Sequence, residues 1–261
     1  MCVTINAKSL VCELAGSSPV NAEVFILHFT WKGPTPKAGQ FFMVKPLRSS
    51  TYLGRPLSVC EFNAAQNTVK FLVAKRGRGT EELSLMTTGE KAQLTGPLGN
   101  AWEDFLPENG FAALVGGSVG IAPLAALVAE KSNYNFHFYA GFKNGFREKE
   151  EENAMLGAAC MVKKLIVTAE DGRNALSGRI LDYFFEPGKY DVVLACGPLA
   201  MLKAVKEKCK TRGAACYVSM ENRMACGIGA CLGCTVRTVN GEKRCCADGP
   251  IFPAQELIFD E

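Results

Sequence analysis

The sequence has few histidines and little net charge. Only His28 and His137 occur among 261 residues, and the formal net charge is +3 at pH 7. A charge this small does not predict a nucleic-acid partner. Both histidines lie in strand-like runs, where a structural role is favoured over catalysis, and no Ser/His/Asp or paired-carboxylate arrangement is evident. The sequence therefore gives no sign of a catalytic centre built from side chains.

The sequence also lacks a secretory signal and a continuous membrane-spanning segment. Its N-terminus, "MCVTINAKSLVCELAG", has neither a basic start nor an unbroken apolar run. Residues 111–130 are almost uncharged, but Gly116, Gly117, Gly120 and Pro123 interrupt them. A short strand, a glycine turn and the start of a buried helix explain this pattern better than a membrane helix does. We therefore expect a cytoplasmic protein with no membrane association.

Residues 1–105 are rich in short β-strand patterns. Alternating runs at 22–29, 40–46 and 68–75 are separated by clusters of Gly, Pro, Ser and Asn, and no helical pattern occurs before 79–87. This spacing predicts a small antiparallel barrel or sandwich.

Residues 106–215 have a different pattern. Continuous apolar runs alternate with helix-like segments at 121–131, 177–185 and 198–211. Strands covered by helices on both faces have continuous apolar runs, so this part predicts an α/β domain with a parallel sheet.

Residues 216–261 form a third, small domain that is rich in glycine and cysteine. It has too few apolar residues to fold alone, so a metal centre would supply the missing stability. Five of the twelve cysteines cluster between residues 226 and 246, although cytoplasmic proteins rarely use disulfides. The other seven are scattered singly and are interpreted mainly as small buried apolar residues.

Three of the five clustered cysteines have the spacing C-x4-C-x2-C. Cys226, Cys231 and Cys234, followed by a later cysteine, match the ligand pattern of a plant-type [2Fe–2S] cluster. Zinc is the main alternative, and unligated structural cysteines are another. If residues 235–246 form an extended hairpin, Cys245 and Cys246 point to opposite faces, so only one of them faces the cluster. The alternation does not say which.

The cysteine segment resembles a known family. "ENRMACGIGACLGCTV" followed by "CADGPIF" is similar to the electron-transfer subunits of type B dihydroorotate dehydrogenases, and the resemblance extends over the whole chain. It implies an N-terminal ferredoxin reductase-like barrel for FAD, a central NAD-binding α/β domain and a C-terminal [2Fe–2S] domain. It also implies Cys246 as the fourth ligand, because the family ligand directly precedes x-D-G-P. Cys245 then has no ligand role.

The segment "RPLSVC", residues 55–60, is similar to the R-x-[YPL]-S signature of ferredoxin reductase-like flavoproteins. The resemblance implies that Arg55 neutralises the flavin pyrophosphate and that the Ser58 hydroxyl meets the isoalloxazine edge. A guanidinium suits this role because it donates to two phosphate oxygens at once. The predicted flavin-binding residues of this segment are Arg55, Pro56, Leu57 and Ser58.

Two further segments are predicted to bind the flavin. Gly79 and Thr80 directly precede a helical run, where backbone N–H groups and a helix N-terminus attract an anion. By the same resemblance, Leu72, Val73 and Ala74 run past the flavin.

The predicted nicotinamide site combines two glycine-containing turns. "VGGSVGIAPL", residues 115–124, departs from the spacing of a Rossmann fingerprint and resembles the G-G-x-x-G-x-x-P of ferredoxin reductase-like domains. In that superfamily, the cysteine of "CGP" lies where nicotinamide stacks on the flavin. The predicted residues are Gly116, Gly117, Gly120, Cys196, Gly197 and Pro198. The resemblance favours NADH. Lys143 and Arg147 are candidates to bind the 2′-phosphate of NADPH, but both are equally well explained as surface charges.

The expected function is electron transfer between NAD(H), FAD and a [2Fe–2S] cluster. The resemblance implies that an FMN-containing catalytic subunit oxidises dihydroorotate to orotate in pyrimidine biosynthesis and assembles with this chain as a heterotetramer. Two alternatives stay open. The same modules could serve another dehydrogenase or a ferredoxin, or the chain could be a zinc-stabilised or redox-sensing regulator without turnover.

Overall fold

The computed structural model describes residues 7–184 and 186–259. Cys2 and the predicted helix end at residue 185 lie outside the described residues. The first part of the chain contains seven strands and one helix: β1 (Lys8–Pro19), β2 (Val24–Thr30), β3 (Phe41–Pro46), β4 (Arg55–Ser58), β5 (Glu61–Asn63), β6 (Thr68–Ala74), α1 (Arg78–Ser84) and β7 (Lys91–Leu98).

These seven strands form one antiparallel sheet in the order β4-β3-β7-β1-β2-β6-β5. The sheet curls, because the end strand β4 also contacts β6 on the opposite side. Its interior is aromatic: the Phe42 ring lies 4.7 Å from Trp31 and 5.7 Å from Phe71, centroid to centroid, in edge-on contacts. The predicted antiparallel barrel is confirmed as a curled, partly open sheet.

The rest of the chain forms an α/β unit and a small hairpin. Its elements are β8 (Phe111–Gly117), α2 (Ile121–Glu130), β9 (Asn135–Phe142), α3 (Lys149–Leu156), β10 (Lys164–Ala169), β11 (Leu176–Ser177), α4 (Ile180–Tyr183), β12 (Val192–Cys196), α5 (Leu199–Lys210), β13 (Cys216–Ser219), β14 (Thr235–Thr238), β15 (Gly241–Arg244), α6 (Cys245–Asp248) and β16 (Ile251–Pro253).

The central sheet has the order β11-β10-β9-β8-β12-β13-β16. Every neighbouring pair is parallel except β13 and β16, which are antiparallel. Strand β8 therefore lies in the middle, and the chain winds outward on both sides of it. This arrangement confirms the predicted parallel α/β sheet, and it brings the carboxyl ends of β8 and β12 together at one edge.

Two strands of the predicted third domain belong to this central sheet. Strand β13 continues it beside β12, and β16 closes its edge. Val218, Ile251 and Phe252 are buried there, so the apolar residues of the segment are used in the sheet. Only residues 220–250, which include the β14–β15 hairpin, extend beyond it as a separate lobe.

The helix predicted over 177–185 is shorter than expected. Residues Leu176 and Ser177 form strand β11, and Gly178 has φ +109°, a conformation that a helix cannot contain. Helix α4 therefore covers only Ile180–Tyr183. The apolar spacing of the segment was compatible with both structures, and the glycine decides between them.

The barrel and the α/β unit share one hydrophobic core. Val24, Ile26 and Leu72 of the barrel pack with Trp102 and with the apolar face of α2. This shared core holds the carboxyl edge of the central sheet against the barrel. In the described part of the chain, no helix is both long enough and apolar enough to cross a membrane.

An ion cluster reinforces the same junction. The Glu103 carboxylate accepts from Lys37 of the barrel at 2.5 Å and from Lys131, at the end of α2, at 2.7 Å. Hydrogen bonds from Lys131 and Lys37 lower the pKa of Glu103. A lowered pKa means that this stabilisation is complete above the unfolded-state pKa of about 4.3 and is lost as the pH falls through the folded-state value.

We expect Glu103→Gln to destabilise the protein at pH 7 by about 1 kcal/mol, because a network of ion pairs at a domain junction contributes more stability than an isolated surface pair does. The thermal midpoint should fall by about 3 °C. The difference from wild type should shrink as the pH falls through the lowered folded-state pKa of Glu103. Glu152→Gln is the control, since its pair with Lys149 at 2.6 Å lies within one exposed helix. An equal loss in both variants would contradict a junction role.

Candidate functional site

Strand β4 carries the predicted flavin segment and pairs with β3. Arg55 lies opposite Val44, Pro56 opposite Met43, and Ser58 opposite Phe41. The Arg55 Nη1 donates to the carbonyls of Leu53 and Gly54, at 3.0 and 3.2 Å. These bonds hold the Nη1 atom of the guanidinium, while its Nε and Nη2 atoms lie beside Gly79.

The Arg55 guanidinium lies directly over Gly79. A Cβ on residue 79 would overlap the Nε, Cζ and Nη2 atoms, so the absence of a side chain there gives the guanidinium its place. The structure thus brings together two predicted flavin segments that are 24 positions apart in the sequence. The pair forms a cationic ledge beside the first turn of α1, which suits a diphosphate.

The start of α1 differs from the sequence-based expectation. The helix begins at Arg78, so Gly79 and Thr80 lie in its first turn rather than before it. The Thr80 hydroxyl accepts from the Arg76 amide at 2.8 Å and donates to the Gly77 carbonyl at 2.9 Å. Thr80 therefore stabilises the turn, and its hydroxyl is already engaged within the chain.

Other predicted flavin residues point into the hydrophobic core. Leu57 and Val73 are buried in the barrel, and Leu72 packs into the core shared with the α/β unit. Contacts from these three positions to a ligand would come from the backbone. Ala74 and Ser58 are partly exposed at the ends of their strands.

The two predicted nicotinamide turns are in direct contact. A Cβ on Gly120 would lie 2.6 Å from the Cys196 carbonyl oxygen and 2.7 Å from the Gly197 amide nitrogen. A Cβ on Gly117 would lie 2.8 Å from Pro198 Cδ. Glycine is required at position 120 because a Cβ would overlap the backbone of residues 196–197, and at position 117 because a Cβ would crowd the Pro198 ring, as expected where β8 and β12 end side by side.

Cys196 is buried at the end of β12, opposite Ser219 of β13. Burial raises the pKa of its thiol far above the usual range, Glu221 acts in the same direction, and a hydrogen bond with Ser219 opposes both. The thiol therefore stays protonated at neutral pH, so Cys196 contributes shape and a weak donor rather than a nucleophile.

Glu221 occupies a position that sequence reasoning missed. Its carboxylate is close enough to raise the pKa of the Cys196 thiol. Burial raises the pKa of Glu221 itself, and the positive charge of Arg76 offsets part of that rise. Glu221 thus lies between the nicotinamide turn and the loop that follows β6. No local sequence signal identified it, because the three residues meet only in the folded chain.

The four predicted cluster ligands form two pairs. The Cys226 and Cys231 side chains are hydrogen-bonded, and the Sγ atoms of Cys234 and Cys246 lie 3.2 Å apart. Among the described residues, no three His, Cys, Asp or Glu side chains converge on one metal position. Two pairs match the ligand set of a [2Fe–2S] cluster, in which each iron takes two thiolates.

Backbone amides surround these sulfurs. Burial alone would raise the pKa of Cys226, but N–H groups of Ile228, Cys231 and Ala230 donate to its sulfur, and the pKa falls to about 6. The Gly229 amide donates to Cys246 Sγ at 3.1 Å. A loop whose amides point inward stabilises negative sulfur, so the residues fit an anionic iron–sulfur group.

Cys245 and Cys246 lie in a helical turn rather than in the expected strand. Strand β15 ends at Arg244 and α6 begins at Cys245, because the Asp248 carboxylate accepts from the Arg244 amide at 2.7 Å and closes the turn. The argument from strand alternation was therefore wrong in its geometry. The two side chains still diverge: the Cys245 thiol donates to the Met220 carbonyl at 3.1 Å, whereas Cys246 faces Cys234.

The cysteine loop packs on the flavin side of the barrel. A Cβ on Gly227 would lie 2.6 Å from Met43 Cγ, and Met43 is the strand partner of Pro56. On the other side of the loop, Asn100 of "GPLGN" exchanges two hydrogen bonds with Ile251, at 2.9 and 3.0 Å. The predicted flavin and cluster residues therefore belong to one continuous region.

Two open cavities lie away from this region. One, of about 630 Å³, is lined by residues including Arg48, Glu82 and Leu85, and another, of about 380 Å³, lies beside Glu103. Neither contains a residue predicted to bind a cofactor.

Sequence comparisons identify related proteins. A family model described as the iron-sulfur cluster binding domain of dihydroorotate dehydrogenase B matches residues 221–258. The electron transfer subunit of dihydroorotate dehydrogenase B (NAD(+)) from Clostridium acetobutylicum is 37% identical over 225 residues, 86% of this chain and 87% of that protein. The corresponding subunit from Caldanaerobacter subterraneus is 37% identical over 245 residues, 92% of this chain and 94% of that protein.

Solved structures share the fold. An NADH-dependent reduced ferredoxin–NADP oxidoreductase matches with a TM-score of 0.80 and 24% identity, covering 95% of this chain and 90% of that one. A ferredoxin–NADP⁺ reductase from Neisseria gonorrhoeae, solved with FAD and NADP, matches with a TM-score of 0.65 and 16% identity, covering 83% of this chain and 95% of that one.

Proposed function

The chain belongs to the family of dihydroorotate dehydrogenase B electron transfer subunits, and on that premise we propose that it carries electrons between NAD(H) and a separate catalytic subunit that oxidises dihydroorotate to orotate. FAD and a [2Fe–2S] cluster are its cofactors. The observation that carries the proposal is the convergence of three sites: the Arg55 ledge, the contact of Gly120 with Cys196, and the paired cysteines. When bound, the cofactors supply hydride transfer from nicotinamide and one-electron transfer onward.

The barrel would bind FAD and orient it. Arg55 would donate to the pyrophosphate from its ledge over Gly79, and Ser58 would reach the ring system from the other end of β4. The remaining proposed flavin residues are Pro56, Leu57, Leu72, Val73, Ala74 and Thr80, with backbone contacts from the buried members.

The carboxyl edge of the central sheet would bind the nicotinamide. The backbones of Gly120, Cys196 and Gly197 are in contact there, so no Gly120 side chain separates the ends of β8 and β12. Gly116, Gly117 and Pro198 complete the proposed NAD(H) site.

Four cysteines would hold the cluster: Cys226, Cys231, Cys234 and Cys246. Their two-pair arrangement and the surrounding amides support a two-iron centre. Every cysteine that the structure describes is free, and many free thiols suit a reducing compartment, so a cytoplasmic location is part of this proposal.

An FMN-containing catalytic subunit is the proposed partner, in a heterotetramer. Within the described residues we find no cluster of acid, base and anion-binding groups that would take dihydroorotate. The chain alone would therefore oxidise NADH but would leave dihydroorotate unchanged.

The test is to purify the chain anaerobically, with and without the co-expressed catalytic subunit. Alone, it should contain flavin and about two irons per chain and should oxidise NADH with an artificial one-electron acceptor. Dihydroorotate should bleach its flavin only when the catalytic subunit is present.

Three results would contradict the proposal. Dihydroorotate turnover by the chain alone would place the substrate site here. A colourless, zinc-containing protein would favour a regulator, and association with a different dehydrogenase would change the final substrate.

A further inference from the structure

We infer that the Arg244 guanidinium, held in place by Asp248, controls the electron affinity of the cluster through the peptide group that joins Gly229 to Ala230. The inference rests on the proposed function, because it requires a cluster on the paired cysteines. It assigns a positioning role to two residues that the electron path itself does not use.

Arg244 and Asp248 bracket the cysteines of the one-turn helix α6. The Arg244 Nε donates to Asp248 Oδ2 at 3.0 Å and its Nη2 donates to Oδ1 at 3.1 Å, so the two planar groups meet fork to fork. The Arg244 amide adds a third bond to Oδ2, at 2.7 Å. Asp248 therefore fixes both the side chain and the main chain of Arg244.

The Nη1 atom of Arg244 reaches the cysteine loop. Arg244 Nη1 lies 3.4 Å from the Gly229 carbonyl oxygen, to which it donates. The same peptide group carries the Ala230 N–H, which donates to the Cys226 sulfur. A cation at the oxygen end of a peptide polarises it and strengthens the N–H donor at the other end. At 3.4 Å the contact is long, so the charge matters more than the bond itself.

Gly229 also connects this charge to the second sulfur pair. Its own N–H donates to Cys246 Sγ at 3.1 Å. Its φ of +81° and the 2.8 Å that would separate an added Cβ from Ala247 Cβ show that the loop approaches α6 as closely as glycine allows. Arg244 thus acts on one peptide that faces Cys226 and adjoins the donor to Cys246.

The electrostatic consequence has a definite sign. Donors and positive charge near the sulfurs stabilise the reduced cluster, which carries one more negative charge, and so raise its reduction potential. In the native pair, the Asp248 carboxylate offsets part of the Arg244 charge. Removing Arg244 should therefore lower the potential, whereas removing the Asp248 charge should raise it.

A different result is expected if Arg244 and Asp248 only support the turn structurally. Loss of either partner would then loosen the same turn, and both variants would shift the potential in the same direction or lose iron to the same extent. Opposite shifts from two residues of one ion pair distinguish charge control from simple support.

The experiment uses the full chain, purified anaerobically, with iron content and the midpoint potential of the cluster as readouts. Arg244→Gln should shift the potential to more negative values, Asp248→Asn to more positive values, and the double variant should lie between them. Arg244→Lys keeps the charge and should stay near wild type even if Arg244→Gln loads poorly.

Matched controls come from the same hairpin. Lys243→Gln and Glu242→Gln remove the same charges from neighbouring positions of β15, whose side chains have no described hydrogen bond to the Gly229 peptide, so their shifts should be smaller. Shifts of the same sign in Arg244→Gln and Asp248→Asn, or shifts no larger than the controls, would overturn the inference. A wild-type chain without iron would instead refute the proposed function.

Discussion

Cys246→Ser should remove most of the iron and the cluster absorbance from the purified chain, whereas Cys245→Ser should leave both close to wild type. The two residues are adjacent in the sequence, but Cys246 Sγ lies 3.2 Å from Cys234 Sγ and the Cys245 thiol is bonded to the Met220 carbonyl. Burial and the neighbouring Cys234 raise the pKa of Cys246, so two thiolates at this distance need a cation between them.

Iron per chain and the visible spectrum of anaerobically purified protein measure this effect. Flavin content serves as the internal control, because a folded barrel should keep FAD in both variants. Loss of the cluster in Cys245→Ser, with retention in Cys246→Ser, would transfer the ligand role to Cys245.

Arg55→Ala should weaken FAD binding by about 10- to 100-fold, so that the chain is purified with most of its flavin missing. A bidentate, charge-assisted contact to a diphosphate is worth about 1.5 to 3 kcal/mol, which corresponds to this range. Arg55→Lys should give an intermediate loss, because it keeps the charge without the planar fork. Flavin per chain, measured by absorbance after denaturation, checks the result.

Gly79→Ala tests the same contact from the other side. Its Cβ would occupy the position of the Arg55 guanidinium, which can move away because it ends a flexible side chain. The chain should therefore fold and still lose flavin. The control is Arg179→Ala. Arg179 lies in the α/β unit, where its exposed side chain is 3.7 Å from Glu170. Equal flavin loss in all three variants would rule out a specific role for Arg55.

The sequence was informative where one segment carries the whole signal. The spacing of Cys226, Cys231 and Cys234, the continuous apolar runs of the parallel strands and the glycines before α2 each depend on local geometry. These patterns predicted the barrel, the central sheet and the loop that carries Cys226, Cys231 and Cys234 without knowledge of distant contacts.

Other features depend on long-range contacts, and no local pattern reveals them. Met43 meets Gly227 across more than 180 positions, and Glu221 lies close to Cys196 only after β12 and β13 pair. The turn at Cys245 was missed for a different reason: strand spacing and a single helical turn are indistinguishable over four residues. Arg244 and Asp248, at i and i+4, were the available signal for that turn.

Strand β16 also changes how the stability of the cysteine lobe should be understood. The chain leaves the central sheet after β13 and returns to it at β16, which pairs antiparallel with β13. Residues 220–250 therefore form a loop whose two ends are held side by side. Closing a loop between anchored ends has little further entropic cost. Metal loss should therefore disorder this loop, while the pairing of β13 with β16 stays intact.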